Sequence, residues 1–298
     1  MKSLKVSALH QSEKADFEGA IAEVKRMTSL CELLHEGEGY IVHSLVVITA
    51  AAIIDRAIEE IADQIADGHQ PYATELQEIL EKRNSARNCV KFSFNVEYIA
   101  LKGTIIGLDE GEFAQFAELK LPLTAPGKSP SPFVFKPNET ILRLAEWCRV
   151  PIRNLDRAYY SEWEVAADLL QKPPVHQMVL SGNFVGETIL AIGLPVYDKI
   201  LVRVIDGETR TQLTILKLAL RRHELDRGSL PDSLDALVPD YLEAVPVDPY
   251  DGKPLRYSKE GRFVYSVGID LVDGGGSPED KLGPDVPDPT IKLVGYGE

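Results

Sequence analysis

The spacing of apolar residues predicts that the first two-thirds of the chain is helical. In the stretch DFEGAIAEVKRMTSLCELLHEG, apolar side chains recur every three or four residues and so lie on one face of a helix. Comparable spacing predicts further helices at about 40–66, 72–84, 88–108, 138–149, 154–170 and 195–227. The pattern is typical of a helical array built from antiparallel pairs.

The helical pattern is interrupted by proline and glycine and ends in a different periodicity. Residues 121–137 hold five prolines and are predicted to form a loop or linker, after which Asn138 is expected to cap the next helix. Near the C-terminus, LRYS and RFVYSV alternate between apolar and polar residues and are joined by KEG, which predicts a β-hairpin.

These patterns predict an α+β fold that is mostly α. We expect a helical domain over residues 1–200 and a head over 201–298. In the head, a small antiparallel sheet at about 254–268 should pack against the long helix, because helical periodicity and the terminal hairpin occupy separate parts of the chain.

Charge and hydropathy exclude two classes of partner. The net charge of −14 argues against nucleic acid and against docking on anionic lipid, since both require a basic surface. The longest apolar run, YIVHSLVVITAAAII, is shorter than the roughly twenty residues of a membrane span and contains polar side chains. We therefore expect a buried helix there and no membrane span.

Few motifs of known chemistry occur in the sequence. Cys31, Cys89 and Cys148 are odd in number and widely spaced, which predicts free, buried thiols and leans toward a reducing compartment. The sequence has no HExxH, Gly-x-Ser-x-Gly, phosphate-loop or dinucleotide motif. Tyr159, Tyr160 and Trp163, which follow two arginines, are interpreted as pocket residues or as helix-packing aromatics.

Five segments follow one another in the C-terminal third: RRHELDRGSL (221–230), LDALV (234–238), DPYDGKP (248–254), LRY (255–257) and YSVGIDLVDGG (265–275). In their order and spacing, over about eighty of the 298 residues, they resemble the globular head of the major pseudopilin of type II secretion systems. The whole chain also resembles uncharacterised helical proteins of planctomycete-like bacteria that carry this module. A pseudopilin has a single apolar helix where this chain has a helical domain.

The resemblance implies a calcium site in the acidic, glycine-rich loop after the hairpin. Asp270 matches the first aspartate ligand of the family and Val267 a carbonyl ligand. Glu279 and Asp280 fall near a later acidic pair, and Asp273 matches an acid that is a ligand in some members. Calcium takes six to eight oxygens and tolerates irregular loops. The alternative interpretation is a solvated acidic tail.

The sequence leaves two classes of function open. The first is a non-catalytic structural or interaction protein with protein partners in the cell envelope and a calcium-stapled head. Because calcium is abundant outside the cytoplasm, a protein of this class would be extracytoplasmic (periplasmic) and held by an anchor outside the given sequence. The second is an enzyme or small-ligand binder whose site lies in the helical domain. A pocket with convergent polar groups would favour the second class.

Overall fold

In a computed structural model, the chain is a helical body joined to a small sheet by one long helix. The structure describes residues 1–37, 39–109, 134–164, 175–193, 197–277, 279–283 and 286–294. The helices are α1 (Lys2–Glu13), α2 (Phe17–Glu36), α3 (Ile41–Ala62), α4 (Gln70–Lys82), α5 (Arg87–Asp109), α6 (Pro137–Asp156), α7 (Val175–Leu180), α8 (Phe184–Gly193) and α9 (Tyr197–Arg227). The strands are β1 (Arg256–Ser258), β2 (Phe263–Tyr265) and β3 (Thr290–Lys292).

The predicted fold class, α+β and mostly α, is confirmed. The strands form one antiparallel sheet in the order β1-β2-β3, and the predicted hairpin pairs Arg256 with Tyr265. β2 and β3 pack on α9, as expected for a sheet placed against the long helix. Residues 121–133 of the predicted linker at 121–137 lie outside the described residues.

The long helix α9 belongs to both halves of the apolar core. Its C-terminal half packs with α1–α4 and the head, and its N-terminal half packs with α5, α6 and α8. The predicted domain boundary at residue 200 falls inside α9. The division into two domains stays a prediction.

A row of three acids along α3 and its C-cap faces α9, and the first of them, Asp55, is fully buried. Asp55, Glu59 and Asp63 are spaced four residues apart and therefore share one helix face. Arg210 on α9 lies 3.1 Å from Glu59, and Lys217 lies 2.6 Å from Asp63. The two helices are thus matched by charge as well as by apolar packing.

The first member of this row makes the most buried ion pair. Arg83, just after α4, donates to both carboxylate oxygens of Asp55, at 2.5 and 3.0 Å. Their side chains are only 6% and 1% exposed. Thr211 of α9 completes the cluster by donating to Asp55 at 3.1 Å. The pair therefore ties together α3, α4 and α9.

Several local predictions were wrong. Asn138 does not cap its helix, because α6 begins one residue earlier, at Pro137, and its N-cap is Lys136. The predicted helix at 154–170 is absent from the described residues after Asp156, where a short 3₁₀ turn (Tyr160–Glu162) follows. The spacing of apolar residues did not predict α1, α7, α8 or β3.

Two sequence predictions concern the apolar run, which was expected to form a buried helix, and the three cysteines, which were expected to be free, buried thiols. α3 is long and apolar enough to cross a membrane, but core helices of water-soluble proteins pass the same test, and 44% of its apolar window is buried. The described residues thus hold no clear membrane span. Cys31, Cys89 and Cys148 are free and buried, and burial raises the pKa of the Cys148 thiol to about 12.

Breaking the Asp55–Arg83 pair should be costly. Arg83→Met leaves a carboxylate buried without its cation, so we expect the free energy of unfolding to fall by about 3–5 kcal/mol in urea denaturation. The double variant Asp55→Leu/Arg83→Met should recover most of the loss. Lys82→Met, next to Arg83 but exposed, is the control and should keep the wild-type midpoint. Equal effects of Arg83→Met and Lys82→Met would contradict the assignment.

Candidate functional site

A cleft of about 650 Å³ opens between the helical body and the segment that leads into the head. One wall is α9, the floor comes from α3, α4 and the turn after α4, and the other wall is the segment 242–247 with Pro249. The apolar lining consists of Ile48, Ala51, Leu80, Val204, Ile215, Leu242, Val245 and Val247. This volume is within the range of about 300–1,000 Å³ that is usual for ligand sites.

Gly207 leaves a position without a side chain on the α9 wall of the cleft. It lies within a 31-residue helix, and a Cβ atom built on it would meet nothing within 4 Å. Glycine in a helix interior costs up to about 1 kcal/mol relative to alanine. No close packing explains this glycine, so its consequence is open space on the cleft side of α9.

The buried charges around the cleft are already paired. Arg83 is held by Asp55, and Arg87 donates to Glu208 of α9 at 2.7 and 2.8 Å. Arg87 also donates to the carbonyl oxygens of residues 155, 157 and 158. These groups act as structural links rather than as free acids or bases. The exposed charges on the lining are those of Glu81, Arg203 and Glu243.

Asp248 organises the head side of the cleft. Its carboxylate is fully buried and accepts hydrogen bonds from the backbone N–H groups of Tyr250 and Val267, from the hydroxyl of Ser266 and from Arg256. Burial raises the pKa of this carboxyl, and these hydrogen bonds oppose the rise. The DPYDG turn is therefore fixed to the segment that follows β2.

The aromatic pair after α6 docks on this turn. Tyr160 N–H donates to the Pro249 carbonyl at 3.0 Å, and the Tyr160 and Tyr250 rings are 5.5 Å apart. Tyr159 lines the cleft and lies against Gly252, whose φ of +76° favours glycine. Tyr159 is thus a cleft residue, whereas Tyr160 and Trp163 pack against the cluster of Ile205, Tyr250 and Val267.

The acids predicted to bind calcium lie on one exposed loop, but each makes its own local contact. Asp270 accepts a hydrogen bond from the N–H of Val272 at 3.1 Å. Asp273 accepts from the Tyr265 hydroxyl at 3.1 Å and lies 3.8 Å from Arg256. A base from β1 thus approaches this acid, although the sequence around the loop contains only one lysine.

The other predicted ligands lie further along the chain. Asp280 accepts from the N–H of Lys292 in β3 at 2.5 Å, and Glu279 is exposed. Val267 is buried, and its N–H donates to Asp248. Among the residues that the structure describes, no three His, Cys, Asp or Glu side chains are grouped as a metal site. Calcium binding by Val267, Asp270, Asp273, Glu279 and Asp280 stays a prediction.

Asp288, which the sequence did not single out, orders the glycines of this loop. Its carboxylate accepts from the N–H groups of Gly274 and Gly276, at 3.2 and 3.3 Å. The residue is buried and has a φ of +49°. A carboxylate can thus hold a glycine-rich turn through backbone donors, as a cation would through backbone carbonyls.

Comparison with known proteins gives no relative for this chain. No family model, no curated protein and no solved structure matches it.

Asp206 of α9 is a half-buried acid. Burial raises the pKa of its carboxyl above the ordinary value of 3.8, and the charge of Arg210 and the nearby backbone of Gly283 oppose the rise. Within the described part of the chain, its Oδ1 atom is buried without a hydrogen-bond partner. The folded state therefore keeps this proton to higher pH than the unfolded chain does.

This difference predicts a pH-dependent effect of Asp206→Asn. As the pH rises above about 3.8, the unfolded state releases its proton first, so the contribution of Asp206 to stability falls, by at most about 1.4 kcal/mol per pH unit. The asparagine side chain of the variant does not titrate and has no such dependence. In urea denaturation between pH 4 and 7, the free energy of unfolding of the variant should therefore rise relative to that of the wild type as the pH increases. Asp235→Asn is the surface control. A difference that does not change with pH would contradict the prediction.

Proposed function

We propose that this chain is a non-catalytic structural or interaction protein that acts outside the cytoplasm. The observation that carries the proposal is that the buried and half-buried arginines around the cleft are engaged with protein partners. Arg83 is held by Asp55, and Arg87 by Glu208 and three carbonyl oxygens. A catalytic acid or base needs to reach a substrate, and these groups hold the cleft in shape instead.

The attachment of the head supports the same role. Arg262 pairs with Glu224 of α9 at 2.9 Å, and the Tyr257 hydroxyl donates to the Pro231 carbonyl at 3.1 Å. Gln77 of α4 donates to the Tyr241 carbonyl at 3.2 Å. A head joined to the body through several elements suits a rigid binding platform.

The compartment is part of the proposal and rests on the resemblance to a pseudopilin head. Cells that produce the protein from its native gene should be separated into cytosolic and envelope fractions, and the protein detected with an antibody. We expect it in the envelope or periplasmic fraction, together with a known periplasmic marker. Recovery with a cytosolic marker alone would contradict this part of the proposal.

Calcium binding by the acidic loop is also proposed and can be measured directly. With calcium at a hundred times its dissociation constant, a site on the folded state stabilises the protein by about 2.7 kcal/mol. We expect calcium to raise the melting temperature of the wild type and chelator to reverse the rise. Asp270→Ala should abolish the shift, and Asp235→Ala, on the head but outside the loop, should retain it.

Asp288→Ala separates the contribution of calcium from that of the protein itself. Because Asp288 holds Gly274 and Gly276, its loss should expose the loop to proteases with or without calcium. If chelator changes neither the melting temperature of the wild type nor the cutting of its loop, the acids are a solvated surface and no more.

A second function, small-ligand binding, is favoured by one observation. The cleft has the volume of a ligand site, and Gly207 gives it an unfilled wall. A binding site of this kind is compatible with a non-catalytic role.

A further inference from the structure

The wall of the cleft on the head side includes one isolated antiparallel β-bridge, which has a free outer side. Val247 and Pro254 form an antiparallel bridge, Leu255 N–H donates to the Pro246 carbonyl at 3.0 Å, and Asp248 N–H donates to the Lys253 carbonyl at 2.7 Å. In an antiparallel ladder, alternate residues direct their backbone groups to opposite sides. Since 246 and 248 face the 253–255 segment, Val245 and Val247 face away from it.

The outward edge of this segment is open. Within the described part of the chain, no hydrogen bond uses the backbone N–H or C=O of Val245 or Val247. Both residues line the cleft. An edge with unused donors and acceptors at two-residue spacing is the surface to which an extended peptide adds as a further strand.

The opposite wall suits the side chains of such a strand. Successive side chains of an added strand point to opposite faces, so alternate ones reach the floor of the cleft. The floor is apolar at Ile48 and Leu80, the α9 wall is apolar at Ile215, and Gly207 leaves open space on the same wall. A compact small molecule would use this floor but would leave the paired donors and acceptors of the edge unused.

The charges on the lining favour a basic peptide. Glu81 and Glu243 are exposed there, against the single exposed guanidinium of Arg203. Arg83 and Arg87 are neutralised by their carboxylate partners. The net charge of the chain, −14, also attracts a basic peptide over longer distances.

We propose that the cleft binds an extended peptide with alternating apolar and basic side chains, which adds as a strand along Val245–Val247. The peptide places an apolar side chain over Gly207 and its basic residues near Glu81 and Glu243. This inference rests on the proposed function as an interaction protein and names the chemistry of the partner.

The test uses a defined peptide, fluorescein-labelled KVKVKVK with blocked ends, and measures fluorescence anisotropy against the full chain. We expect saturable binding that weakens with added salt. A copy that is N-methylated at every residue, and so lacks the backbone donors on both sides of the strand, should bind at least about tenfold more weakly, equivalent to about 1.4 kcal/mol. An EVEVEVE peptide should also bind more weakly than KVKVKVK.

Two matched variants of the protein locate the site. Gly207→Leu fills the α9 wall and should weaken binding at least about tenfold. Gly103→Leu makes the same change in α5, at a helix glycine that also has open space around it but lies outside the cleft. It should bind like the wild type. Circular dichroism should show both variants folded, since leucine favours helix over glycine.

Three results would overturn the inference: no saturable binding of KVKVKVK to the wild type, equal binding of the N-methylated peptide, or equal weakening by the two glycine variants. These outcomes are separable from failure of the proposed function. Recovery of the protein in the cytosol alone would contradict its extracytoplasmic role even if the peptide bound. A protein found in the envelope that bound no peptide would refute only the inference.

Discussion

The buried pairing of Asp55 with Arg83 is the interaction on which the arrangement of the helices depends. A carboxylate that is 1% exposed is tolerable only with its partner in place, because an unpaired buried charge costs several kcal/mol. The pair joins α3 to the end of α4, and Thr211 joins both to α9. Apolar packing alone would permit α3 to slide along α9. The row of Asp55, Glu59 and Asp63 selects one register, since each acid must meet its own partner.

The head is likewise held together by a buried carboxylate. Asp248 is fully buried and gathers donors from three separate segments, the DPYDG turn, β1 and the strand end at Ser266 and Val267. With strands of only three residues each, the sheet has few ladder hydrogen bonds of its own. A buried carboxylate that accepts several bonds compensates for this and fixes the edge segment 245–248 beside the cleft. The candidate site therefore exists because the head is held in one position against α9.

The resemblance to a pseudopilin head stays a prediction. The hairpin that the alternating residues predict is formed, with Arg256 paired to Tyr265, and the glycine-rich loop follows it directly. Two contacts of the protein itself order this loop: Asp288 accepts hydrogen bonds from the N–H groups of Gly274 and Gly276, and Arg256 of β1 lies near Asp273. Asp270 and Glu279 are exposed.

The sequence by itself determined the fold class, the main helices, the hairpin and the buried thiols, because each follows from spacing between near neighbours. It did not reveal β3, whose three residues carry too little pattern and gain their pairing from β2. It also did not reveal the cleft. Gly207 was the one local sign, a glycine inside a helical pattern, but its meaning depends on what faces it. Asp55 and Arg83 are 28 residues apart, and Val245 lies 38 residues from Gly207 in sequence and across the cleft from it in space. Only the packing of α3, α4 and the head on α9 brings such residues together, since that depends on long-range contacts that local periodicity does not encode.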